Sequence, residues 1–341
     1  MNNRFRLTFV VLNLSVLILF ALCLLLGSVR VPLDAAVRIL VGGGGDSSLW
    51  NAIILSSRLP QAITAMVAGG ALAVSGLMLQ TLFRNPLAGP SILGVSDGAN
   101  LGVALVMLCG GGAAGFGMTS GGFLSIILAA FIGAGAVMVI IVFFSNIVNN
   151  SVMLLIIGIM TGYLASSVIS ILNWVAAPDQ VNQFVMWGMG DFSSVSMDKL
   201  PWMTGAAILG ISLSFFLTKQ LNALLLGDSY AANLGVNIRR TRTLIFLSAG
   251  LQTAAVTAFC GPVSFIGLAV PHIARLLLGS SNHRYLLPAS VLCGAVMALL
   301  CNLLTSIPLG GGILPLNAIT PLIGAPVIIY VILNRRNIHY F

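Results

Sequence analysis

An all-α, polytopic membrane protein of about ten transmembrane helices is the fold class this sequence predicts, and three observations predict it. Hydrophobic residues fill 58% of the 341 positions and charged residues only 6%, with no glutamate at all. A soluble domain carries roughly 25% charge, so most of this surface would face water only by exposing apolar patches that soluble monomers avoid. Apolar runs recur along the whole chain at about the 20 residues a helix needs to cross a bilayer. The basic residues stand singly or in twos and threes between those runs, as residues flanking membrane spans do. The same scatter argues against nucleic acid as a partner, despite a formal net charge of +8.

Ten spans are read at residues 7–27, 59–83, 94–109, 123–144, 153–172, 200–217, 243–259, 266–278, 286–304 and 318–333. Arg4 and Arg6 precede the first, which exceeds the roughly 7–15-residue core of a cleaved signal. No A-x-A site follows, and Leu22 stands where a lipoprotein site before Cys23 needs a small residue. The first span is therefore read as retained. The third, eighth and tenth runs are short and bordered or broken by Gly and Pro. Broken backbone at membrane depth survives only where protein or a wet cavity satisfies it, so these runs are candidates for a pathway lining or for packed interior.

With the N-terminus in the cytoplasm, ten spans place Arg4, Arg6, Arg84, Lys219, Arg239, Arg240, Arg242, Arg275, Arg284, Arg335 and Arg336 inside. Arg30, Arg38, Arg58 and Lys199 remain outside. This positive-inside bias puts both termini in the cytoplasm. The second span is dense in small residues between Met66 and Gly76. Lipid supplies little hydrophobic drive between helices, so small side chains permit the close packing that does, and this span is expected inside the bundle. Gly42-Gly43-Gly44-Gly45 and Gly310-Gly311-Gly312 read as outside connectors.

Catalytic chemistry has no assembled sequence signal. HExxH, GxSxG and Walker A patterns are absent, and Cys23, Cys109, Cys260, Cys293 and Cys301 show no CxxC spacing. His272, His283 and His339 read as packed or interfacial residues. No cofactor or metal site is expected. Ion-coupled transporters place ionisable groups inside their spans, whereas here Asp97 lies near a cytoplasmic end and the interior is nearly free of charge. That favours a pathway driven from outside the bilayer over an ion-coupled secondary transporter.

Four stretches resemble the FecCD-type permeases, the iron-siderophore, haem and cobalamin permeases of type II ABC importers. They are Arg58-Leu59-Pro60 with residues 69–80; Arg84-Asn85-Pro86-Leu87-Ala88-Gly89-Pro90 with residues 93–99; Leu226-Gly227-Asp228 through Gly235-Val236-Asn237; and residues 261–275, completed by Leu314-Pro315 and residues 322–326. The resemblance implies a single transmembrane permease domain over residues 1–341, importing an iron(III)-siderophore or similar metal chelate, with cobalamin or haem as alternatives. It implies inverted repeats formed by helices 2–5 and 7–10. It also implies two ATP-binding subunits, a periplasmic or lipoprotein substrate-binding protein, and a second permease copy or homologue in a bacterial inner membrane. ATP hydrolysis belongs to the partner subunits.

Residue by residue, Arg84, Asn85, Pro86 and Pro90 form a cytoplasmic turn, because Asn-Pro and Gly-Pro end a helix sharply. Asp228 and Ser229 are good helix caps and Gly235 a good stop, so residues 229–234 are expected to form a short helix. Tyr230 and Leu234 share one face, with Ala231 and Ala232 leaving a smooth surface beside them. The resemblance makes Gly227, Asp228, Ser229, Tyr230, Ala231, Ala232, Leu234 and Gly235 the ATPase-coupling segment; a helix lying on the membrane is the alternative. The resemblance implies that Arg58 docks the binding protein; an anchor in headgroups is the alternative. Gln61 and Ser306 stand where the family commonly carries further outer arginines.

Overall fold

Hydrocarbon offers backbone amides no water to bond, so chain at membrane depth must close its own hydrogen bonds. The computed structural model describes residues 3–27, 29, 31–41, 48–109, 120–148, 150–306 and 314–333, and among them every regular element is helical. The glycine connectors at 42–45 and 310–312, with Arg30, Arg335, Arg336 and His339, lie outside the described residues.

The chain enters through α1 (Asn3–Leu25), then α2 (Leu33–Leu40), α3 (Ser48–Asn51) and a π-helical run, Ala52–Arg58, that leads directly into α4 (Leu59–Phe83). Next come α5 (Val95–Cys109), α6 (Ser120–Ile147), α7 (Ser151–Val175) and α8 (Pro178–Gly188). They are followed by α9 (Leu200–Phe216), α10 (Thr218–Leu225), α11 (Asp228–Asn233) and α12 (Ile238–Cys260). The chain closes with α13 (Ile266–Leu278), α14 (His283–Thr305) and α15 (Leu316–Leu333). Each of the ten runs coincides with a helix: α1, α4, α5, α6, α7, α9, α12, α13, α14 and α15. Among the described residues six segments are long and apolar enough to span alone, α9 and α10 join across a 57° bend, and α5, α13 and α15 are the short ones.

The packing has the pattern of two related halves, α4–α7 and α12–α15. Helix α4 packs on α12, α13 and α14; reciprocally, α12 packs on α4, α5 and α6. The first helix of each half thus meets the first three of the other, as a two-fold relation requires. Because α4 is the second span and α12 the seventh, they run in opposite directions, the arrangement of inverted repeats.

Small residues make the central contact possible. Every α4 residue from Ala68 to Phe83 is buried. A Cβ at Gly69 would collide with the Gly294 carbonyl of α14, and one at Gly76 with the Gly267 carbonyl of α13. Backbone therefore lies on backbone at two levels of α4, which only glycine permits.

Candidate functional site

The segment between α9 and α12 begins where α10 ends at Leu225. Gly227 holds φ at 112°, a value side-chain-bearing residues rarely adopt, and a Cβ there would approach the Arg84 guanidinium at 3.1 Å. Helix α11 follows, one residue earlier than the sequence pattern places it, with Gly227 and not a side chain at its N-cap. Gly235, at φ 83°, ends the turn, its N–H donating to the Ala232 carbonyl at 2.9 Å. Tyr230 and Leu234 point outward, 55% and 59% exposed, with Ser229 and Ala232 exposed beside them.

Ala231 is a correction. It was expected on the outward surface, but it is wholly buried, and its carbonyl accepts from the Val236 N–H at 3.0 Å. Helix α11 is short and lies on the bundle, so one of its faces must meet the protein's own core, and Ala231 occupies that face.

The segment is fastened by charge. Arg242, 5% exposed on α12, donates from Nη2 to Asp228 Oδ2 at 2.6 Å, and Arg84 Nη2 lies 3.5 Å from Asp228 Oδ1. Arg84 sits in the left-handed region at φ 45°. There the Arg84 N–H donates to Thr81 and the Asn85 N–H to Gln80, the paired bonds that close a helix end. Glycine is usual at such a position and arginine is strained; from here the guanidinium reaches Asp228. Asn85 Oδ1 accepts from the Leu87 N–H at 2.9 Å, and the Pro86 carbonyl accepts from His272 Nε2 at 2.8 Å. Pro90 packs on α13, within 3.1 Å of a Cβ placed at Gly267. The predicted turn is therefore a joint between α4, α5, α11, α12 and α13.

His272, His283 and Arg275 are packed at the same end. Arg275 Nη1 donates to Gln80 Oε1 at 2.8 Å, and Gln80 Nε2 donates to the Leu268 carbonyl at 3.0 Å. His283 lies between Thr81 of α4 and Asn222 of α10, at 2.8 and 2.9 Å. Arg4 donates to the carbonyls of Leu276 and Leu277, closing the C-terminal end of α13 and placing it on the same side as the start of α1.

Arg58 faces inward. It is 7% exposed, Nη1 donates to the Leu24 and Leu25 carbonyls at 2.9 Å each, and Nη2 donates to Val29. The Leu24 and Leu25 carbonyls are among those the end of α1 leaves without helical partners, so the side chain caps α1 and also holds the chain just beyond it at Val29. Gln61 and Ser306 converge on a single residue: Gln61 Nε2 donates to Asn302 Oδ1 at 2.9 Å, and Ser306 Oγ to the Asn302 carbonyl at 2.8 Å.

Sequence reasoning missed a second joint, at the opposite end of the bundle. Asn317, at the start of α15, accepts from the Ser264 N–H at 3.0 Å and donates to the carbonyls of Pro262 and Gly188 at 2.7 and 3.1 Å. It ties α8 to the α12–α13 turn. An Asn two residues after Leu-Pro was the available signal, but its partners lie 53 or more residues away.

Among the described residues no three His, Cys, Asp or Glu side chains gather as metal ligands. What the fold and this joint define is a membrane transport subunit: two inverted half-bundles around a buried small-residue helix, with a charge-fastened segment at one end. The model of the FecCD transport family matches residues 15–334, and the chain belongs to that family. It is 34% identical to the hemin transport system permease protein HmuU of Yersinia pestis, over 95% of this chain and 96% of the relative. It is 33% identical to the vitamin B12 import system permease protein BtuC of Citrobacter koseri, over 95% and 94%. A solved metal-chelate type ABC transporter in an inward-facing conformation superposes with a TM-score of 0.81 at 28% identity, over 97% of this chain and 99% of that one. The protein is a multi-pass permease of the ABC importer type; such subunits are not themselves enzymes.

Proposed function

We propose that this chain forms the membrane path of a plasma-membrane importer for a bulky metal chelate, driven by two ATP-binding subunits and fed by an external substrate-binding protein. A second permease copy or homologue completes the path, and both termini lie in the cytoplasm. The observation that carries the reading is the Asp228 clamp: the exposed Tyr230–Leu234 face is joined by charge to α4 and α12, the first helices of both halves. A push on α11 therefore reaches both halves together, as a rigid-body switch between outward and inward states needs. This is the ATPase-coupling role of Gly227, Asp228, Ser229, Tyr230, Ala232, Leu234 and Gly235, with Ala231 as the core-facing wedge that holds the segment in place.

Similarity of 34% to a haem permease and 33% to a vitamin B12 permease favours a path that does not grip its cargo, with selection made by the binding protein. An iron(III)-siderophore is the cargo placed first, on the Leu226-Gly227-Asp228 pattern, with haem and cobalamin as alternatives. Proteoliposomes holding the permease, its ATPase and the binding protein test this. ATP-dependent uptake of a ferric chelate is expected; uptake driven by a proton or sodium gradient without ATP would overturn the reading.

A further inference from the structure

At the end of the bundle that carries α11, the 57° bend between α9 and α10 opens a cavity of about 560 Å³ behind the coupling segment. Its apolar wall comes from Leu213, Phe216, Leu217 and Leu244, and Phe216 is 80% exposed, so the wall continues onto the exposed apolar surface of α9. Its polar rim carries two cations, Lys219 and Arg240, with Asn237 at the start of α12. Asn237 caps that helix, its Oδ1 accepting from the Arg240 N–H at 3.0 Å, so the positive end of the α12 dipole also faces this rim. The lining contains no carboxylate among the described residues. The neighbouring arginines are engaged elsewhere: Arg239 donates to Asn146 and Arg242 to Asp228.

An apolar wall that opens sideways at the membrane boundary, beneath two cations and a helix N-terminus, matches one kind of molecule. We propose that the cavity binds an anionic phospholipid of the adjacent leaflet, its phosphate between Lys219 and Arg240 and an acyl chain against Leu213, Phe216 and Leu244. Basic pockets between spans hold anionic headgroups by this combination of charge and apolar contact. Leu234, Gly235 and Val236 form the remaining wall, so the lipid braces the coupling segment from behind. That consequence for transport rests on the coupling role proposed above; the binding itself does not.

The test uses the whole permease in nanodiscs of phosphatidylcholine doped with phosphatidylglycerol, extracted into detergent, with retained lipid counted by native mass spectrometry. Sidedness and ATPase coupling do not enter this measurement, so its failure would count against the lipid site alone. Wild type is expected to retain phosphatidylglycerol over phosphatidylcholine. The double variant Lys219→Gln/Arg240→Gln should weaken that retention about 30-fold, at roughly one interaction of headgroup strength per cation. The charge-preserving pair Lys219→Arg/Arg240→Lys and the neighbouring Arg239→Gln should both keep it. Equal retention of the two lipids, or unchanged retention in the double variant, overturns the proposal. Displacement of the bound lipid by inorganic phosphate alone overturns it in favour of a soluble anion.

Discussion

Asp228 Oδ2 lies 2.6 Å from Nη2 of Arg242, joining a six-residue surface helix to a transmembrane helix whose arginine is almost wholly buried. A charged pair in this setting is directional and short, and the Asp228 side chain, 32% exposed, keeps some contact with water. Partial screening limits its contribution to stability to about 1 kcal/mol. The second oxygen faces Arg84 at the end of α4, so one carboxylate links α11 to both half-bundles.

Asp228→Asn should accordingly insert at wild-type level while ATP-driven uptake falls about fivefold or more, the scale of a lost coupling free energy. Arg84→Gln added to it should cost little further, since both changes open the same clamp. Additive losses in uptake would show that the two contacts act separately.

Arg58→Ala strips a charged donor from the carbonyls of Leu24, Leu25 and Val29. Hydrogen bonds to charged groups contribute about 1.5–3 kcal/mol each, so the purified variant should melt well below wild type. Its association with the binding protein, corrected for folded fraction, should keep its rate and salt dependence. A normal melt with a slower, salt-sensitive association would return Arg58 to a docking role.

Gly69→Leu must push α4 off α14, where backbone lies on backbone. Overpacking of this kind costs about 1–3 kcal/mol even where neighbours yield, and here the obstacle is a carbonyl, so little folded protein should be recovered. Gly135→Leu on α6, where a Cβ meets nothing within 4 Å, is the matched control and should be recovered normally. Equal recovery of the two would refute the close helix contact.

The spans were legible because hydrocarbon demands continuous apolar helix, and composition alone exposes that demand. Their ends were less so. Helix α12 starts at Ile238 and not near 243, since Arg239, Arg240 and Arg242 continue the helix past the apolar stretch, where hydropathy carries no signal. Helices α2, α8 and α10 were missed for the same reason, although Pro178 at the start of α8, with Gln180 accepting from the Ala177 N–H, is a readable start signal. The coupling segment was legible from its glycines and the resemblance. The clamp was not, because Arg84 and Asp228 stand 144 residues apart. Nor was the inward turn of Arg58, whose partners, at the end of α1 and just beyond it, lie 29 to 34 residues earlier.

The arginine and lysine distribution predicts the orientation. In a variant freed of its native cysteines, Arg240→Cys should label only from the cytoplasm and Asp198→Cys only from outside. Labelling of both from one side would contradict the ten-span path.

The central claim is that the outward face of α11 is where an ATPase drives this permease. Ala232 is exposed on that segment, so Ala232→Arg should leave the protein inserted and folded, unlike a change at buried Ala231. The direct measurement compares ATPase co-purification and ATP-driven chelate uptake for Ala232→Arg and wild type in the same membranes. Loss of both at unchanged permease level is the predicted result; retention of both at wild-type level would contradict it.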